Sequence, residues 1–408
     1  MSEPVPSKSS PFRWWLVGGL TLVALIATAW WFTSRQQPAE RPEERLTEIL
    51  RQIEAGSADR AALEEAVRIS GSAPRFAAFK PLFTAALHLA NREYHAAIQE
   101  LNQREPGDST RKASMLVIGQ ALFGEGRPNE AARLFYEVIV LDPGNLLARF
   151  NMVRYWHERG SVSGAMSELE RITQVAPDDY RAWRGLGGYA FDFSRYADTI
   201  KYLDQALRCE PPPELRQEIL LELGQSYFQQ HDYDRAVETL AEARPNALGE
   251  AVRAESYEAL GQADEADECL ARAVELDGRH RMVRLATARL ALQRGRPADA
   301  VEPLVAQLKE TPNDRDCQFQ LTLAYSALGQ AEMAEAERAK FAALDLLTDR
   351  FTELNTQATA RPKDLALREE LAEICDKLGQ PRQAQAWRRA VAILKQEQEM
   401  AEGSGEPH

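Results

Sequence analysis

MLVIGQALFGEGRPNEAARLFYEVIVLDP, residues 115–143, is the stretch that decides the fold class. Met115, Ile118 and Leu122 recur at helical spacing, Gly126-Arg127-Pro128 interrupts them, and Ala131, Leu134, Phe135 and Val138 resume the 3.6-residue period until Asp142-Pro143 stops it. The pattern is helix, tight turn, helix, stop. Gly119 and Ala131 are small where two antiparallel helices come closest, because a larger side chain there would push the axes beyond roughly 8 to 10 Å. A single hairpin of this kind cannot bury both its faces, so it must stack on another.

Working outward, the same signs return at a fixed step. Gly126 and Gly160 lie 34 residues apart, as do Ala131 and Ala165, and Pro143, Pro177 and Pro211 form a series of three at that interval. A second series, Gly261, Gly295 and Gly329, keeps the step together with Ala266, Ala300 and Ala334. Two departures are places where the stack can bend: Pro245 ends its unit early, and Gly329 to Gly379 is 50 residues instead of 34. Within the latter gap, Leu344 to Pro362 extends one helix and adds a loop.

The chain has 408 residues, 44% hydrophobic and 27% charged, the composition of a folded protein with a helical lean. Its net charge of -13, with no block rich in Lys or Arg, excludes general nucleic-acid binding. One segment breaks the composition. Trp14 to Phe32 carries no charge and would span roughly 28 Å as a helix, close to the bilayer core of roughly 30 Å. Trp14 and Trp15 stand at one end and Trp30 and Trp31 at the other, where amphipathic rings settle at the water interfaces. The competing readings are a buried core helix and, more sharply, a cleaved signal peptide ending at Ala27-Thr28-Ala29, but the apolar run is long for the latter and continues past the cut. A retained transmembrane helix over residues 13–34 is therefore expected, after a short tail 1–12 and before a polar linker 35–44 that holds Pro38 and Pro42. A short tail before such an anchor stays in the cytoplasm. That places the rest across the inner membrane, on the periplasmic side if the source is bacterial.

With these residues in hand, the chain resembles the tetratricopeptide-repeat family, whose pattern is W-x2-L-G-x2-Y, then G-x-Y-x2-A, then a large apolar residue, A and P. The fullest match is Trp183, Leu186 and Gly187 followed by Tyr196, Leu203, Ala206 and Pro211, with Ala190 and Thr199 departing from the pattern. A second is Leu223, Gly224, Tyr227, Tyr233, Ala236, Leu240 and Ala243. Partial copies carry Tyr94 and Ala97; Tyr257, Gly261 and Ala266; Tyr325, Gly329 and Ala334; and Cys375, Gly379 and Ala384. The resemblance implies an all-α, helical-hairpin solenoid with a right-handed superhelical twist, here preceded by the one transmembrane helix. Its extent is residues 75–395, about eight to nine hairpins at the repeat step. An atypical helical cap is expected over 45–74 and a disordered tail over 396–408.

No catalytic constellation stands out. H-E-x-x-H, G-x-x-x-x-G-K-[ST], G-x-S-x-G and a strand-to-helix G-x-G-x-x-G are all missing. Leu186-Gly187-Gly188-Tyr189 looks glycine-rich but occupies the repeat's close-packing position. His88 and His95 are seven residues apart, poor spacing for one metal, and Cys209, Cys269, Cys317 and Cys375 are isolated and read as small buried hydrophobes. No enzymatic activity, cofactor, metal or small-molecule substrate is expected.

In repeats of this family the first helix of each hairpin lines the inner wall, which the resemblance would build from Phe123, Phe150, Asn151, Arg154, His157, Arg181, Arg184, Phe191 and Phe228. Two readings of these residues stand. They form a groove for acidic or aromatic peptides, since guanidinium groups grip carboxylates and rings supply rigid apolar area; or the rings fill gaps between hairpins and the arginines pair with neighbouring acids. The family's carboxylate clamp needs a Lys and an Asn on consecutive turns, and the corresponding places hold Phe150 with Arg154 and Leu116 with Gln120, which does not support that activity. The expected function is that of a membrane-anchored scaffold that holds other proteins and touches lipid through its anchor. The alternatives are a self-assembling structural solenoid and a non-catalytic subunit of a membrane enzyme complex.

Overall fold

The structure is a computed structural model and describes residues 41–102, 107–361 and 363–404. The expected membrane helix 13–34 with Trp14, Trp15, Trp30 and Trp31, the tail 1–12 and most of the linker lie outside the described residues. No helix among the described residues is long and apolar enough to cross a membrane. Those residues form twenty α-helices and one 3₁₀ turn, with no strand among them.

The chain divides into two compact units, split between Leu134 and Phe135. The first holds α1 (Pro42–Ala55), α2 (Arg60–Ser72), the 3₁₀ turn Pro74–Phe76, α3 (Lys80–Ala90), α4 (Tyr94–Asn102), α5 (Arg111–Gly124) and the start of α6 (Pro128–Leu141). Leu46, Ile49, Leu63, Phe76, Phe83 and Leu116 are its buried apolar centre. α1 packs on α2 and α5, while α3 packs on α2, α4 and α5. The first helix begins at Pro42, inside the span read as linker. Proline fits the first helical position, and Glu43 and Glu44 in the opening turn favour the helix dipole.

The second unit contains the rest of α6 and seven further hairpins. They pair α7 (Leu146–Glu158) with α8 (Val162–Val175), α9 (Tyr180–Asp192) with α10 (Tyr196–Arg208), α11 (Pro213–Gln229) with α12 (Tyr233–Glu242) and α13 (Ala247–Ala259) with α14 (Ala263–Asp277). Then follow α15 (Arg281–Gln293) with α16 (Pro297–Glu310), α17 (Arg315–Ala327) with α18 (Ala331–Ala360) and α19 (Leu365–Lys377) with α20 (Pro381–Ser404). Each first helix packs on its own second helix, which packs in turn on the next first helix.

The turn inside each hairpin explains the glycine series. Gly126, Gly160, Gly261, Gly295, Gly329 and Gly379 have φ between 68° and 79°, the left-handed region where a side chain is strained. At the first of them the amide of Arg127 donates to the carbonyl of Leu122 at 2.9 Å and that of Gly126 to Phe123 at 3.1 Å, the bond pair that closes a helix on a left-handed residue. Helix starts are capped by side chains: Asn145, Ser161, Asp179, Asp232, Asn246, Asp314 and Asp364 each accept from an amide in the first turn of their helix. The alanine series is buried throughout, with Ala131, Ala165, Ala266 and Ala300 fully enclosed and Ala334 4% exposed.

The long step in the glycine series is taken up by α18, one continuous helix of 30 residues. No glycine or proline interrupts it, and Leu344, Leu354 and Ala358 bury one stripe of its length. α19 and α20 pack on its far half around Leu354, Leu367, Leu371 and Trp387. α20 then reaches α7, and a Cβ built on Gly160 would touch Ala390 at 3.7 Å and Trp387 at 3.9 Å. The helix runs to Ser404, into the span read as a disordered tail, because Gln396 to Glu402 contains only good helix formers and the first breaker is Gly403.

Candidate functional site

α7, α9 and α11, three successive first helices, bring most of the expected wall residues together. Phe150 on α7 is half-buried against the cluster of Leu169, Ile172 and Leu186, and the guanidinium of Arg181 on α9 lies 4.4 Å from its ring centre. That stacking joins one first helix to the next. His157 Nδ1 and the Tyr189 hydroxyl form a second link at 2.8 Å, and Arg184 on α9 donates to Glu222 on α11 at 2.6 Å as a third. Phe191 meets Tyr196 edge-on at 6.0 Å, while Phe228 packs on the core cluster around Leu203 and Leu223 and meets Tyr233 at 5.8 Å.

The arginines of this wall are engaged by acids. Arg154 pairs with Glu158 at 3.2 Å, Arg181 with Asp179 at 2.6 Å and Arg184 with Glu222. Burial pushes the Asp179 carboxyl up, but hydrogen bonds from the side chain and amide of Arg181 outweigh it and hold the group below the ordinary carboxylate range. Glu222 moves the other way. Its partial burial raises it against the pull of Arg184, with Asp192 and Glu218 adding like charge. Arg184 Nε and Glu222 Oε2 are buried without a hydrogen-bond partner among the described residues.

Asp192, at the end of α9, has no hydrogen bond or ion pair to another described residue, although Arg184 and His157 lie within electrostatic reach. The surrounding protein raises its carboxyl above the ordinary range, while those two groups pull it down. Tyr189 is pushed up to about 12, first by burial and then by Asp192. The wall therefore presents the three phenylalanine rings, ion-paired arginines and, in Asp192, a carboxylate that pairs with no described residue.

Two expected residues serve other ends. Asn151 is 7% exposed and returns its amide to the Leu147 carbonyl at 2.8 Å, inside its own helix. Phe123, in the first unit, is 5% exposed and enclosed in α5's packing. Neither offers surface to a ligand. Conversely, Tyr189, Asp192 and Glu222 belong to the wall and were not singled out from sequence. Only the repeat register places Asp192 one residue beyond Phe191 on an open face, and no motif marks Glu222 as the partner of an arginine 38 residues earlier. Gly187 and Gly224 have the packing role read for the first of them: a Cβ on Gly187 would overlap Leu203, and one on Gly224 would overlap Leu240. Among the described residues no group of His, Cys, Asp or Glu could hold a metal ion.

Two family models, both described as tetratricopeptide repeat, match this chain, one over residues 122–187 and the other over residues 165–214 and 251–315. No curated protein matches in sequence. Among solved structures, similarity extends to a chain of the APC/C hetero-tetramer Cut9-Hcn1 at 18% identity and a TM-score of 0.40, over 65% of this chain and 52% of that one. The present chain thus spans about half the length of that relative. PilF of Pseudomonas aeruginosa is similar at 16% identity and a TM-score of 0.40, over 51% of this chain and 96% of that one. The C-terminal part of a TPR repeat-containing protein from Cytophaga hutchinsonii gives 15% and 0.43, over 59% and 99%. Over the matched residues the chain carries tetratricopeptide repeats, stacked as an all-α solenoid of helical hairpins.

Proposed function

We propose that the chain is a membrane-anchored scaffold without catalytic activity, holding partner proteins against the wall of α7, α9 and α11. Tetratricopeptide repeats generally mediate protein–protein interaction. The observation that carries the reading is the row of half-buried rings Phe150, Phe191 and Phe228 on three consecutive first helices that are tied to one another by side chains. Such a row is rigid, and rigid rings bind at low entropic cost. Because Arg154, Arg181 and Arg184 already hold carboxylates, an acidic segment would have to displace Glu158, Asp179 or Glu222, whereas an aromatic or apolar segment displaces none of them. Aromatic or apolar peptide segments are therefore the first class of ligand, acidic ones the second. The charge-free run from Trp14 to Phe32 supports anchoring, with the repeats on the periplasmic side of an inner membrane, and an anchor raises the effective concentration of the wall near other membrane proteins.

A photoreactive phenylalanine analogue placed at position 191 or 228 tests the docking wall in cells. Defined protein adducts are expected at both positions and none at position 170, an exposed site on α8. Identical adducts at all three positions, or none anywhere, would remove the wall from consideration. Alkaline extraction tests the anchor separately: the full-length chain should stay with the membranes, and its release would end that part of the reading.

A further inference from the structure

Successive first helices pack on one another from α9 through α17, so they line the inner side of the curve that the second unit follows. α20 then meets α7, and the curve returns on itself. The wall of α7, α9 and α11 therefore faces the inside of a loop of seven hairpins, which the last hairpin closes. A free chain end can thread such a loop. A segment in the middle of a folded partner cannot reach the wall until the loop opens.

The last hairpin is built as a body of its own. The near half of α18 shares a core with α15, α16 and α17 through Ala334, whereas its far half shares another with α19 and α20 through Leu347, Phe351 and Leu354. Ala251 and Leu285, each ten residues before its turn glycine, are buried against the following first helix. Phe319 holds the same place before Gly329 and stays 44% exposed, because the length of α18 carries α19 past it. Two contacts tie this body back to the unit. The Asn313 amide donates to the Lys377 carbonyl at 2.7 Å, taking up an oxygen that the end of α19 leaves open. At the other contact Trp387 and Ala390 lie beside Gly160, which has only backbone to offer them. Arg159 and Arg368 are like charges within electrostatic reach across that seam, and Arg368 is 6% exposed. Burial first and Arg159 second push its guanidinium down, while Asp364 opposes them. Separating the seam relaxes that repulsion.

We propose that the last hairpin is a clasp, which lifts from Gly160 and Asn313 as one body and admits an internal segment of a folded partner to the wall only while it is lifted. The movement is a bend of α18 between Ala334 and Leu347, where the helix passes from one core to the other and Leu346 is 71% exposed. Long helices bend over such a length without a break. The gate rests on the reading of α7, α9 and α11 as the docking wall and adds to it the step that controls entry.

Thiol labelling reads the lifting. In the full-length chain with Cys209→Ser, Ala390→Cys puts a thiol at a place 2% exposed in the closed seam, whereas Cys375 is fully enclosed in the hairpin's own core. The new thiol should react with a maleimide at least tenfold faster than Cys375, and equal rates overturn the clasp. A disulfide lock reads the gating. Cells carry Gly160→Cys and Ala390→Cys together with the photoreactive phenylalanine analogue at position 228. A Cβ at position 160 lies 3.7 Å from that of Ala390, inside the roughly 3.5 to 4.5 Å of disulfides, so diamide closes the seam and dithiothreitol frees it. Protein adducts should fall at least fivefold in the locked chain and return on reduction, with no such change in cells carrying Ala390→Cys alone. Should that pair not fold, Asn313→Cys with Gly379→Cys, again 3.7 Å between Cβ atoms, locks the other contact. Equal adducts in the locked and reduced chains overturn the gate and leave the wall standing. Adducts missing from the reduced chain, and equally from the chain without the added cysteines, overturn the wall and the gate with it.

Discussion

At the residue scale, the turn series is more complete in the backbone than in the sequence. Arg92, Ser194 and His231 adopt φ of 62°, 55° and 59° at the same place in their hairpins as the glycines do in theirs. A reading that follows glycine finds the turn at Gly126 and Gly160 and loses it one step before and one step after, since backbone strain at a non-glycine leaves no mark in composition. Ser194→Gly should relieve roughly 1 to 2 kcal/mol of strain, offset in part by the freer unfolded chain, for a net gain of about 0.5 to 1 kcal/mol. Urea unfolding would measure it, and a loss of stability would contradict the strain argument. Asp192 gives a pH signature. Its carboxyl titrates higher in the folded wall than in the unfolded chain, so the folded state binds more protons in that window and stability falls as pH rises from the ordinary carboxylate range through the raised value. Asp192→Asn should remove that fall, making the variant more stable relative to wild type at pH 7 than at pH 4. A constant difference between the two pH values would show that the surroundings do not disfavour its charge.

At the element scale, helix contact in this solenoid is decided by two neighbouring glycines with opposite duties. Gly187 faces α10, where Leu203 leaves no space for a methyl group, while Gly188 meets only the guanidinium end of Arg184. Gly187→Ala should therefore cost about 1 to 3 kcal/mol by overpacking. Gly188→Ala should be neutral or up to about 1 kcal/mol stabilising through helix propensity. Thermal unfolding of the pair checks this, and equal effects would mean that contact with Leu203 is not what excludes a side chain. The packing role of Gly187 was legible because the repeat pattern names that position. The engagement of Arg181 and Arg184 was open in sequence, as either groove or ion pair, because abundant acids give each arginine many possible partners and only the fold selects Asp179 and Glu222. The length of α18 was half legible. The missing turn between Gly329 and Gly379 showed that a helix must lengthen, but which residues continue it depended on the stripe through Leu344, Leu354 and Ala358 finding cover under α19.

At the scale of the whole second unit, the contact between α20 and α7 is set by curvature summed over seven hairpins, so no local pattern in the sequence announces it. It depends on the 30-residue α18, which carries the last hairpin out of the regular step and towards the first. Trp387 belongs both to the cluster with Leu354 and Leu371 and to the surface near Gly160, so one side chain couples the two ends of the unit. In a stack whose hairpins touch only their sequence neighbours, damage at one end decays along the chain. Here it should also cross the seam. Trp387→Ala should speed hydrogen exchange in α19 and α20 and, about tenfold, at the α7–α8 turn around Gly160, the equivalent of a loss of about 1.4 kcal/mol of local protection. Exchange in α11 to α14, far from the seam in sequence and in packing, should not change. An unaltered α7–α8 turn beside a loosened α20 would show that the two ends meet without supporting each other, and that the wall on α7 is held only by its own hairpins.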